Sequence, residues 1–242
     1  MPTFLRLCQD LRRECSVAGN GPLAVTGQIN EYARLIEWIQ LAHQEIQAKF
    51  YDWGFLWAEG SFSTVQDQGS YRLTDSGSMG GAGNVIENLA KLAKYNPESG
   101  MTGPKIWING TQQLAYIRWS DYDNARYTGS GKPCAVTIKP NGDFLLLPAP
   151  DAVYPITFEY YQTPQVLVLD ADIPRMPERY QHVIVARAMV FYANYENAPE
   201  IKNDGLERYK EAIDQLEADQ LPNASEYRYS SNNDYQIYVN DD

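Results

Sequence analysis

Long apolar runs, basic charge, cysteine and histidine are all scarce in these 242 residues, and each scarcity removes a class of function. No stretch approaches the roughly 18 consecutive apolar residues that a membrane span requires. Met1 to Cys15 is interrupted by Arg6, Asp10, Arg12, Arg13 and Glu14, so neither a membrane protein nor a secretory leader is expected. With 31 acidic against 20 basic residues the net charge is −11. Such a field repels DNA on average and argues against a binder held by phosphate contacts. Three cysteines, Cys8, Cys15 and Cys134, make no disulfide framework. Cys8 and Cys15 are seven apart on a predicted helix, about 10.5 Å along its axis, which is too far to bridge. They are expected to be buried small apolar residues.

Chemistry-bearing patterns are equally sparse. The two histidines, His43 and His182, lie on predicted helices without the four-residue partner spacing of a zinc helix. Asp170-Ala171-Asp172 sets two carboxylates on one face of an extended segment, a candidate weak cation site that lacks the other ligands of a calcium loop. Asp121 and Asp123 flank Tyr122 and suit either a glycosidase pair or solvated surface carboxylates. The glycine-rich run from Ser76 to Gly83 lacks the Gly-Lys-Ser/Thr ending of a phosphate-binding loop. No nucleophile elbow, kinase set or dinucleotide fingerprint occurs. No catalytic, cofactor or metal residue is assigned on this basis, and no cofactor is expected.

Periodicity is what the chain has in quantity. Phe4, Leu7, Cys8, Leu11 and Cys15 recur at helical spacing over residues 3–16. A second helix of about six turns is predicted after Thr26, through Ile29, Ala33, Ile36, Ile39, Ala42, Ile46 and Phe50 to Trp53, ended by Gly54. Between Phe62 and Tyr161 the signals are short strands and turns. Two strands are expected around Gln66–Gly69, a hairpin at Asn109-Gly110, and another at Pro140–Asp143. Residues 85–95 read as a short helix or an irregular segment with Leu89 and Leu92 inward, and Ser120 is expected to cap one or two helical turns. Helical spacing returns at Pro177, placed at a first helical position, in a segment apolar over most of its circumference and therefore central. A last amphipathic helix from Asn203 or Asp204 to Gln220 carries Leu206, Tyr209, Ile213 and Leu216.

The acidity is placed unevenly. From Glu196 to Asp242 there are twelve acidic and four basic residues, a net of −8, which leaves −3 for everything before. The last twenty residues are polar yet hold Tyr227, Tyr229, Tyr235, Ile237, Tyr238 and Val239. The alternation of Tyr235, Ile237 and Val239 suits a strand that adds to another chain's sheet edge; a frayed end packed on its own domain fits equally well.

Together these features predict an α+β fold. Its antiparallel helical core comes from both ends of the chain (1–58 and 175–222), with an inserted small β-sandwich or barrel-like unit (59–174) and an extended C-terminal arm (223–242).

The order of helix hairpin, β insertion, Pro-initiated central helix and acidic last helix resembles the head-to-tail adaptor (connector) proteins of short-tailed and related tailed bacteriophages. The residues that carry it are Asp52-Trp-Gly-Phe-Leu56, Pro164-Gln-Val-Leu167, Asp170-Ala-Asp-Ile-Pro174, Met176-Pro-Glu-Arg-Tyr180, Val183–Ala188 and Tyr192-Ala-Asn-Tyr195. It covers most of residues 3–222 and leaves Gly77–Pro104 and the tail outside. The resemblance implies a non-enzymatic virion protein at the head–tail junction, made in the host cytoplasm. It implies a homo-oligomeric ring, usually of twelve copies, between the portal protein and a tail nozzle or tail-tube protein. Viral DNA would pass through the channel without specific binding, and no membrane is involved. On that reading Tyr227, Tyr229, Tyr235, Ile237, Tyr238 and Val239 are portal-interface candidates, and part of the −8 charge could line the channel. The competing readings are a phage cell-wall-degrading hydrolase using Asp121, Asp123 or Glu178, and a peptide-binding or scaffolding module unrelated to virions.

Overall fold

The computed structural model describes residues 1–74, 86, 88–94, 103–125 and 129–221. The chain divides into two compact units, Met1–Leu56 with Pro164–Pro222, and Trp57–Thr163. Among the described residues there are five α-helices and two sheets, of five and four strands, an α+β fold as the periodicities predict.

The first unit is built from four helices, α1 (Phe4–Glu14), α2 (Asn30–Lys49), α4 (His182–Glu196) and α5 (Pro199–Gln220). Thr3 caps α1 by accepting the Arg6 N–H on its hydroxyl. The inward stripe of α1 is Phe4, Leu7, Cys8 and Leu11. In α4, Val183, Ile184, Val185, Ala186, Ala188, Met189, Val190 and Ala193 are all buried. No single face could hide that set, and α4 accordingly packs against α1, α2 and α5. It ends on Asn197 in the left-handed region (φ 53°), and Pro199 then opens α5 at its first turn.

Several boundaries differ from those predicted. Helix α2 starts at Asn30, four residues past Thr26, and stops at Lys49 because Phe50 is extended (φ −138°); Trp53 is buried beyond its end. Pro177 precedes a 3-10 turn, Glu178–Tyr180, and α4 begins only at His182. Helix α5 starts a turn earlier than Asn203, and Leu206 is exposed, not part of the buried stripe. Its neighbour Gly205 faces α4: a Cβ there would lie 3.1 Å from Met189 Cβ and 3.2 Å from the Ala186 carbonyl oxygen. The absent side chain is what lets the two helices approach so closely.

The segment 164–174 belongs to this helical unit. Its backbone, which turns at residues 169–171, is held by side chains of α2. Gln47 donates to the Gln165 carbonyl (3.1 Å) and accepts the Gln165 N–H (2.8 Å), while Gln40 donates to the Leu167 carbonyl (2.8 Å).

The second unit contains β1 (Trp57–Ser63), β2 (Ser70–Tyr71), β3 (Leu89–Leu92), β4 (Ile106–Ile108), β5 (Gln112–Gln113), β6 (Ala115–Tyr116), α3 (Trp119–Ala125), β7 (Ala135–Ile138), β8 (Phe144–Leu147) and β9 (Pro155–Gln162). In the larger sheet β9 pairs with β1 from Trp57↔Tyr161 to Ser63↔Pro155, and also with β4 and β3. In the other, β8 pairs with β2 and β7, and β6 joins β7 in parallel. The two strands around Gln66–Gly69 therefore form no hairpin: β1 and β2 enter different sheets. Residues 89–92 are a strand, not a helix, because the edge of β9 supplies their hydrogen-bond partners. Ser120 lies inside α3 and does not cap it.

Both sheets contribute to one core. Phe62 and Phe158 from the first meet Phe144 from the second, with ring centroids 5.2–6.4 Å apart. Gly60 is paired with Phe158, and a Cβ on it would fall 2.4 Å from the Phe158 ring, so the bare position makes room for that ring. The Asn109-Gly110 turn joins β4 to β5 with φ of 56° and 68° at its two residues, the positive values that make this dipeptide favoured in hairpins.

Candidate assembly surfaces

The residues considered for catalysis lie on several different elements of the fold. His43, in α2, is buried, and burial together with the Arg175 charge lowers its pKa from 6.5 to about 4. His182 is exposed at the start of α4. Burial pushes the Cys8 and Cys15 thiols up to about 12, helped by Asp170 for Cys8 and by Glu14 and Glu31 for Cys15, so both stay protonated. Cys134 is exposed and free. Asp121 and Asp123 are exposed on α3, and Glu178 is exposed in the 3-10 turn before α4.

Asp170 and Asp172 serve the backbone. Asp170 Oδ1 accepts the Val25 N–H (2.6 Å), and Asp172 Oδ2 accepts the N–H groups of Val168 (2.6 Å) and Leu169 (2.8 Å). These bonds hold the Asp172 carboxyl below its usual range. The main-chain carbonyls of Asp172 and Asp170 accept the N–H groups of Phe4 (2.7 Å) and Leu5 (3.3 Å), two otherwise unpartnered donors of the first turn of α1. The motif thus ties residue 25, the 164–174 segment and the start of α1 together. Among the described residues no group of three or more His, Cys, Asp or Glu could hold a metal ion.

The outside of the helical unit offers contact chemistry instead. Along α2, positions 34, 38, 41 and 45 share a face by their three- and four-residue spacing. The Arg34 guanidinium lies 4.2 Å over the Tyr195 ring of α4 and bonds its hydroxyl. Trp38 packs edge-on against Tyr192 and tilted against Tyr195, each at 5.8 Å. Arg187 binds Glu45 through two bonds of 2.7 and 3.0 Å and lies over Phe191 at 4.7 Å. Leu41 and Tyr195 are about half exposed. Trp, Tyr and Arg in one solvent-facing strip are the residue types that dominate protein–protein contact energies. Four further apolar side chains, Val166, Val168, Leu169 and Ile173, are exposed on the 164–174 segment. On α5, Glu207, Glu211 and Asp214 line one exposed face together with a single cation, Lys210, which leaves that face net acidic.

The model of the SU10 adaptor protein family matches residues 2–234. The chain belongs to the SU10 adaptor protein family. The head-to-tail adaptor resemblance read from the sequence therefore stands, and the role of this adaptor-family chain is that of a phage structural adaptor. The family match also includes Gly77–Pro104 and runs into the tail as far as residue 234, beyond the extent that the sequence motifs suggested. A search of the curated proteins gave no match. The glycine-rich run and Tyr227, Tyr229, Tyr235, Ile237, Tyr238 and Val239 lie outside the described residues.

Proposed function

We propose that this chain is a non-enzymatic ring subunit that joins the portal to the tail tube or nozzle at the head–tail junction of a phage virion. The family match over residues 2–234 is the observation that carries the reading. Twelve copies would surround a channel through which DNA passes without specific binding. The Arg34, Trp38, Tyr192 and Tyr195 strip suits a contact repeated from copy to copy, because a ring closes by using one heterologous interface many times. An acidic face such as that of Glu207, Glu211 and Asp214 would keep DNA from adhering if turned to the channel. The C-terminal segment 223–242 is assigned to the portal, with Tyr227, Tyr229, Tyr235, Ile237, Tyr238 and Val239 as anchors.

Co-sedimentation with a portal ring tests this assignment. The full chain is expected to sediment with the portal, and a chain ending at Pro222 to remain in the supernatant. Equal binding by the two would remove the arm from the interface, and no binding by either would remove the portal.

A further inference from the structure

Within the Trp57–Thr163 unit, a cleft of about 980 Å³ carries a charge opposite to that of the chain. Leu92, Pro104 and Phe144 contribute buried apolar surface to it, and Tyr116 adds a partly exposed ring. Lys91, Lys94, Arg118 and Lys139 stand around it, with Asp121 the one carboxylate among the described residues that line it. Lys91 comes from β3 and Lys94 lies just beyond it; Arg118 immediately precedes α3, and Lys139 opens the turn from β7 to β8 and donates to Ser70 Oγ (2.8 Å). Lys94 and Arg118 are exposed and make no ion pair with a described carboxylate. In a chain of net charge −11, such a cleft concentrates positive potential between low-dielectric walls.

Its chemistry selects the ligand. Duplex DNA is gripped through its phosphates and gains nothing from an apolar floor. An extended peptide with apolar side chains between acidic ends uses both features. The chain holds such a segment: Tyr235, Ile237, Tyr238 and Val239 lie between Asp234 and the pair Asp241-Asp242, with no basic residue from 234 to 242.

We propose that residues 234–242 dock in this cleft of their own subunit when no portal is present. The apolar side chains cover the exposed Tyr116 ring and the partly exposed Leu89 and Ile138, and the aspartates face Lys94 and Arg118. This rests on the assignment of the same segment to the portal, and gives it a resting place from which the portal displaces it.

Amide hydrogen exchange of 234–242 in the full chain, on the monomer-sized fraction without portal, tests the docking. Wild type is expected to exchange about tenfold more slowly than Lys94→Glu/Arg118→Glu, as for a segment bound most of the time. Adding Asp241→Lys and Asp242→Lys to that variant is expected to restore the protection. Both cations are exposed, and an unchanged far-UV spectrum confirms that the variants fold. Equal exchange in all three proteins overturns the proposal. So does a free segment in wild type together with a DNA oligonucleotide that protects the cleft. The measurement contains no portal, so its failure is separable from failure of the co-sedimentation.

Discussion

Lowering the pH should unlock the helical unit through His43. The ring is 1% exposed, and its pKa falls from 6.5 to about 4, first by burial and then by the charge of Arg175. Its neighbour Gln47, whose amide nitrogen lies 3.2 Å from the ring nitrogens, also holds both main-chain groups of Gln165, so charging the ring disturbs the anchor of the 164–174 segment. At pH 7.5 the ring is neutral in folded and unfolded chains alike, and no stability is lost. As the pH falls below 6.5 the unfolded chain takes up the proton and the folded chain does not, so stability falls until both are protonated below 4. From those two values the loss at pH 4.5 is on the order of 2–3 kcal/mol. Guanidinium unfolding followed by tryptophan fluorescence, for wild type and His43→Gln at pH 7.5 and 4.5, isolates this contribution, since carboxylates titrate in both proteins and cancel. Wild type should lose on the order of 2–3 kcal/mol more than the variant. A stability difference that does not change with pH would refute the reasoning.

Other consequences of the packing are as direct. Gly205→Val should cost about 1–3 kcal/mol in equilibrium unfolding, because the new atoms meet Met189, Val190 and the fixed Ala186 carbonyl. A Gly205→Ala variant that gained the full helix-propensity benefit of about 1 kcal/mol would show that the α4–α5 spacing is looser than described. A thiol reagent should titrate one cysteine, Cys134, in the native chain and three after unfolding; rapid native reaction of Cys8 or Cys15 would contradict their burial. Asp172→Ala should speed hydrogen exchange at the Val168 and Leu169 amides, whereas exchange unaffected by the change would deny the carboxylate its anchoring role.

What could be read ahead of the structure was local. Thr3 before an amphipathic run, and Asn109-Gly110 between apolar runs, state their own geometry, because cap and turn are decided by a few adjacent residues. The circumference of apolar residues in α4 likewise announced a central helix. What escaped depends on distant partners. Leu89-Ala-Lys-Leu92 has no β-branched residue and becomes a strand only because β9 offers it an edge. Leu206 looked inward by spacing, but close approach of α4 puts Gly205 at the contact and Leu206 outside. The carboxylates of Asp170 and Asp172 suggested an ion, and the amides that claim them lie at positions 25, 168 and 169. For the contact surfaces, Trp38, Tyr192 and Tyr195 were legible as aromatics but not as one strip, since α2 and α4 are more than a hundred residues apart in sequence. Lys91, Lys94, Arg118 and Lys139 drew no notice either, because they sit on separate stretches between residues 91 and 139 and only folding brings them around one cleft.

The most direct test of the adaptor account is negative-stain imaging of an isolated portal ring before and after addition of the protein. The account predicts an added collar on one face of the portal, with the rotational symmetry of twelve copies. Portal particles unchanged by an excess of folded protein would contradict it.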